Sequence, residues 1–196
     1  MMGANDNLSR AVRLVAILNL TYFGVEFAVA LSIGSVSLFA DSIDFFEDAT
    51  VNFLIFVALG WTAPRRARVG MALSAILLLP AAAFFWTLWE KFAAPVAPDA
   101  LTLSATGFGA LAVNLFCAFT LARWREHGGS LTKAAFLSAR NDAIANVGII
   151  VAGAMTMIWR SAWPDIIVGL AIAAMNVDAA RAVWSAAHKD ISGAAR

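Results

Sequence analysis

The chain has 196 residues, of which 61% are hydrophobic and only 14% charged, with a formal net charge of +1. A soluble domain of this size carries about a quarter charged residues, so the composition excludes an ordinary water-soluble globule. The net charge says nothing about nucleic acid, but no basic stripe with interleaved aromatics appears, and no nucleic-acid partner is expected.

The apolar residues gather in stretches of roughly 20, the length a helix needs to cross ~30 Å of hydrocarbon. The predicted fold is all-α: a polytopic membrane protein with six transmembrane helices. The spans are 12–31, 36–61, 69–89, 100–124, 133–159 and 164–184, forming one transmembrane domain over residues 1–196. The polar N-terminal segment lacks the flanks of a cleaved signal, so the first span is expected to stay in the protein. Trp61, Trp86, Trp89, Trp124, Trp159, Trp163 and Trp184 fall at or near span ends, where an amphipathic ring prefers the headgroup zone. Turn punctuation lies between the spans, at Gly34-Ser35, Pro64-Arg65-Arg66, Pro95 to Asp99, Gly128-Gly129 and Trp163-Pro164.

Basic residues set the orientation. One side of the predicted membrane holds Arg10, Arg13, Arg65, Arg66, Arg68, Arg123, Arg125, Lys133, Arg181, Lys189 and Arg196, and the other only Lys91 and Arg160. The positive-inside rule then places both termini in the cytoplasm. The expected location is a bacterial cytoplasmic (inner) membrane.

The first span places Asn19 and Glu26 seven residues apart, on one face. The second span carries Asp41, Asp44, Glu47 and Asp48. An ionised carboxylate at the centre of a bilayer costs about 2.5–3.5 kcal/mol on insertion scales, so such a group needs compensation. Asp41, Asp44, Asp48 and Asn52 follow at i, i+3, i+7 and i+11, a single stripe at ~100° per residue, with Glu47 on its flank. The fifth span carries Ser138, Asp142 and Asn146 at intervals of four, with Arg140 and Asn141 close by. Counted from the predicted ends, Asp44 lies about 12 Å below one surface and Asp142 about 14 Å above the other. The two levels nearly meet near the midplane of a ~30 Å core. Carboxylates gathered there call for protons or a multivalent cation. The plainer alternatives are pairing with Arg140 or Lys133, or a helix-end role such as Asp41 holding the chain where it joins the second span. Cys117, the single cysteine, reads as a small buried thiol.

The run Gly34-Ser35-Val36-Ser37-Leu38-Phe39-Ala40-Asp41-Ser42-Ile43-Asp44-Phe45-Phe46-Glu47-Asp48, with Ser138-Ala139-Arg140-Asn141-Asp142 and Asn146-Val147-Gly148, resembles the cation diffusion facilitator family. Its members exchange divalent metal for protons. The second helix of that family has a Gly-Ser start, an Ala-Asp, and a His or Asp four residues before an Asp. The resemblance implies that Asp44, Asp48 and Asp142 are metal ligands and that Asp41 matches an acid that is not a ligand. Ser138 falls where the family has His or Asp, which is a departure. The fourth ligand is then Ser138, Asn141, Glu47 or water. The family's cytoplasmic ferredoxin-like C-terminal domain is expected to be missing, since the tail from Ser185 to Arg196 is too short for one, and so is its His-rich loop, since His127 and His188 are isolated.

The resemblance implies a proton-coupled exporter of zinc or a related transition metal (manganese, iron(II), cobalt or cadmium), with no prosthetic group. It also implies a homodimer held by membrane helices, for which Gly148/Ala152 and Gly169/Ala173 offer close-packing faces. Two rivals remain at this point. One is a membrane subunit that binds metal without transporting it. The other is a prenyltransferase-like enzyme, whose aspartate-rich segment Asp41-x-x-Asp44-x-x-x-Asp48 resembles, although such enzymes need a second motif and more helices.

Overall fold

A computed structural model of the chain describes residues 2–58, 78–123 and 129–175, and these residues are helical apart from short connections. Six helices are described: α1 (Met2–Ile33), α2 (Val36–Ala58), α3 (Leu78–Ala93), α4 (Ala100–Ala122), α5 (Gly129–Trp159) and α6 (Trp163–Met175). The protein is an all-α polytopic membrane protein. Segments Asn7–Ile33, Ala100–Ala122 and Ser138–Trp159 are long and apolar enough to cross a membrane. α2 is long enough as well, but its four acids set it apart in composition.

Several boundaries differ from the predicted ones. α1 begins ten residues earlier than predicted, and α5 four residues earlier. The beginning of the predicted third span, the end of the sixth, and Trp61, Trp124 and Trp184 lie outside the described residues. So do Arg65, Arg66, Arg68, Arg125, Arg181, Lys189, Arg196, His127 and His188, and the side chain of Lys133.

The α1–α2 turn shows how local sequence makes a corner. Gly34 adopts φ 60°, a conformation open to glycine, and the Ser35 amide bonds back to the Ala30 carbonyl at 3.1 Å. This six-to-one bond closes α1 in a Schellman motif. Ser35 then starts α2, because its hydroxyl accepts the Leu38 amide at 3.2 Å as an N-cap. On α4, the exposed Asp99 caps the first turn by accepting from the Thr102 amide at 2.8 Å. Hydrogen bonding from the Thr102 side chain, and then from its amide, holds the Asp99 carboxyl below its ordinary value.

α1 packs on α2 and α4 on α5; α1 also meets α4, α2 meets α5, and α3 lies against α2. Two apolar clusters form. The one near the α1–α2 turn includes Val36, Phe39, Phe84, Leu103, Ile149 and Ile166. The other, at the far end, includes Val12, Val15, Ile55, Cys117 and Leu121. Between them lies a polar layer, described below. The outer surface reverses the pattern of a soluble protein: Phe119, Ile158 and Trp89 are 75%, 74% and 73% exposed. Such a surface suits hydrocarbon, where apolar side chains cost nothing to leave uncovered. Hydroxyls on the helices bond their own backbone, as in Thr106 to Thr102 and Thr156 to Ala152, both at 2.8 Å.

Small residues set how closely the helices approach. A Cβ on Gly169 would stand 2.7 Å from Val36 Cγ1 and 2.9 Å from the Ser37 amide nitrogen, so α6 lies directly on the start of α2. A Cβ on Gly148 would meet Val168 of α6 at 3.5 Å, and Ala152 is buried. The Gly148/Ala152 and Gly169/Ala173 faces predicted to serve a dimer are therefore used to pack helices within one chain.

Candidate metal centre

α2 brings its acidic stripe to the middle of the bundle. Asp41, Asp44, Asp48 and Asn52 are all buried, as the i, i+3, i+7, i+11 spacing requires of a helix turned inward. Glu47, on the flank, is exposed. Among the predicted fifth-span residues, Asn146 is fully buried, Ser138 and Asp142 are half-buried, and Arg140 and Asn141 are exposed.

Ser138 of α5 reaches across to α2, where its hydroxyl donates to Asp48 Oδ1 at 2.9 Å. The carboxyls of Asp48 and Asp142 stand within hydrogen-bonding reach of each other. Asp142 is the foremost charged neighbour of Asp44, which lies one helical turn, or ~6 Å along the axis, from Asp48. The structure thus gathers Asp48, Asp142 and Ser138 and leaves Asp44 alongside. Among the described residues, no three His, Cys, Asp or Glu side chains converge tightly enough to enclose an ion.

Two amides brace the layer. Asn52 Nδ2 donates to the Asp48 carbonyl at 2.9 Å, and Asn146 Nδ2 to the Asp142 carbonyl at 2.7 Å. Each bond ties the amide to the helical turn that carries a motif aspartate. Asn19, from α1, accepts from the Cys117 thiol at 3.6 Å, so the cysteine is the buried small residue expected. Neutralisation by Arg140 does not occur: its guanidinium donates to neighbouring Asn141 at 3.4 Å, on the exposed face.

Asp41 does not hold the start of α2. That role falls to Asp165 of α6, which sequence reasoning passed over. Asp165 Oδ1 accepts from Ser35 Oγ and Ser37 Oγ, both at 2.6 Å, and from the Ser37 amide at 3.1 Å. Its Oδ2 accepts from the Val36 amide at 2.8 Å. A carboxylate fits there because the first amides of a helix lack partners within the helix and carry its positive dipole end. The available signal was an acid directly after Pro164, just inside a predicted span.

The motif aspartates of α2 and α5 therefore occupy one buried polar layer inside an otherwise apolar helical bundle. The family model for the cation efflux transmembrane domain matches residues 12–191. The chain belongs to the cation efflux family. No curated protein matches it. As a cation efflux protein it is a divalent metal cation transporter, integral to a membrane, and the transported ion is its substrate. Members of this family are transporters and not enzymes, so the prenyltransferase-like alternative falls.

Proposed function

We propose that this cation efflux protein exports a divalent transition-metal ion from the cytoplasm in exchange for protons, through Asp44, Asp48, Asp142 and Ser138. The observation that carries this reading is the meeting of α2 and α5 at Ser138–Asp48, with Asp142 beside them. Residues 90 or more positions apart in sequence thereby share one small buried volume.

The same contacts suggest how the ion is taken up. In the arrangement described, Ser138 and Asp142 satisfy Asp48, and Asp44 lies a turn away. An incoming ion exchanges these contacts for metal–oxygen bonds and draws the three aspartates together. Carboxylates must be ionised to bind a metal, so loading releases protons from the layer and unloading restores them. The protons belong to the cluster as a unit. Alternating access follows from rocking of the helix pairs about the site. The bias of basic residues sets the cytoplasmic side and hence the direction of export.

Ser138 fits the position of fourth ligand better than the other candidates, since Glu47 and Asn141 are both exposed. A shell of carboxylates, a hydroxyl and water suits manganese or iron(II) better than zinc, which favours nitrogen and sulphur. The test is uptake by purified protein in liposomes containing a pH-sensitive dye, with manganese, iron(II), zinc, cobalt and cadmium supplied in turn. Metal flux coupled to an opposite proton flux is expected, with manganese or iron(II) preferred. Metal flux without a dye response overturns the antiport.

A further inference from the structure

Ala16 of α1 and Ala49 of α2 are both buried, and their short side chains leave a hollow along the seam between the two helices. The result is an apolar groove of about 420 Å³, walled by Ile17 and Leu20 on one side and by Phe46 and Phe56 on the other. Among the described residues, every side chain that lines it belongs to α1 or α2. Ile17 and Leu20 are half-exposed, so the groove opens on the outer face of the bundle, where hydrocarbon lies.

The groove has a charged end and a closed end. Arg13 lines the end away from the α1–α2 turn, and Arg10 stands one helical turn before it; both are exposed. Neither arginine makes an ion pair among the described residues. At the other end Phe46 packs on Phe23 with ring centroids 5.0 Å apart, and this pair bounds the groove. Along α2 the lining runs from Phe56 to Phe46, ten residues or ~15 Å. That is half of a ~30 Å hydrocarbon core, the depth of one leaflet. Arg13 lies at the start of the predicted first span, and an arginine there carries its guanidinium to headgroup level while its stem covers apolar surface.

We propose that an anionic phospholipid docks in this groove, with one acyl chain between α1 and α2 and its phosphate on Arg13 and Arg10. Apolar walls one leaflet deep, topped by two cations without a protein anion, match a lipid of net negative charge. A second copy of the chain fits less well. Related by a two-fold axis along the membrane normal, it would bring the same arginines together at one level, like charge against like. The docked chain lies against Phe46 and Ala49, on the helix that carries Asp44 and Asp48. The proposal does not depend on which ion is carried or in which direction.

The test places the full chain in vesicles of phosphatidylcholine and phosphatidylglycerol with matched acyl chains. A trace of either lipid carries a photoactivatable diazirine on one chain, and peptide mass spectrometry locates the adducts. Phosphatidylglycerol should label the groove segments of α1 and α2 in preference to phosphatidylcholine, and unlabelled phosphatidylglycerol should compete. Arg13→Gln, an exposed change that leaves the packing alone, should reduce that preference about five-fold, the worth of one arginine at an anionic surface. Ala49→Leu fills the hollow without touching the charge and should remove most of the groove labelling. Equal labelling by the two lipids, or labelling that Ala49→Leu leaves in place, overturns the proposal. So does disulfide-linked dimer formation by Ile17→Cys in the same vesicles, which would assign the groove to a second copy.

Discussion

Replacing Asp165 by Ala should unfasten α2 from α6. The carboxylate accepts four hydrogen bonds, two from the Ser35 and Ser37 hydroxyls and two from the Val36 and Ser37 amides. The hydroxyls lose little, because they stand 3.3 Å apart and can turn toward each other. The amides have no such recourse: they belong to the first turn of α2, and Ser35, Val36 and Ser37 are all 0% exposed. Each orphaned buried donor costs about 1–3 kcal/mol, which gives a loss on the order of 2–6 kcal/mol for Asp165→Ala. Asp165→Asn keeps one carbonyl oxygen and should lose about half as much. At roughly 2–4 °C per kcal/mol for a chain of this size, the alanine variant should melt about 5–20 °C lower. Thermal unfolding in detergent, followed by intrinsic tryptophan fluorescence, reads the shift. Asp99→Ala is the control, because that cap is exposed and water replaces its bond. A melting temperature for Asp165→Ala within a degree or two of wild type would refute the clamp.

Three further outcomes test the site and its frame. Asp44→Ala, Asp48→Ala and Asp142→Ala should each reduce metal transport at least ~100-fold while the protein remains folded, since losing a charged ligand costs several kcal/mol; normal transport by Asp142→Ala would dissolve the convergence of α2 and α5. Ser138→His replaces a neutral hydroxyl by a strong zinc ligand one helical turn from Asp142, so competition binding should shift toward zinc and away from manganese. An unchanged preference puts residue 138 outside the shell. Gly169→Ala pushes a methyl group to 2.8 Å from the α2 backbone, and a destabilisation of about 1–3 kcal/mol is expected from denaturant or thermal unfolding.

Much of the fold can be read directly from the sequence. Helices in hydrocarbon must satisfy their own backbone, so long apolar stretches suffice to place spans. The inward stripe Asp41–Asp44–Asp48–Asn52 was equally legible, because helical period alone puts those positions on one face and only a buried face tolerates them. The family was legible in a different way, through the resemblance of the motif residues in α2 and α5 to its pattern, and the match to the family model over residues 12–191 bears that out. Spacing within a helix could not say which groups meet across helices. That Ser138 bonds Asp48, that Glu26 faces Asp41, and that Asp165 of α6 caps α2 depend on how helices far apart in sequence pack. Glycines with the same sequence signature serve intrachain contacts at Gly148 and Gly169, a choice set by which neighbour lies within reach. Period and composition act along one helix, whereas the pairing of polar groups is a property of the assembled bundle.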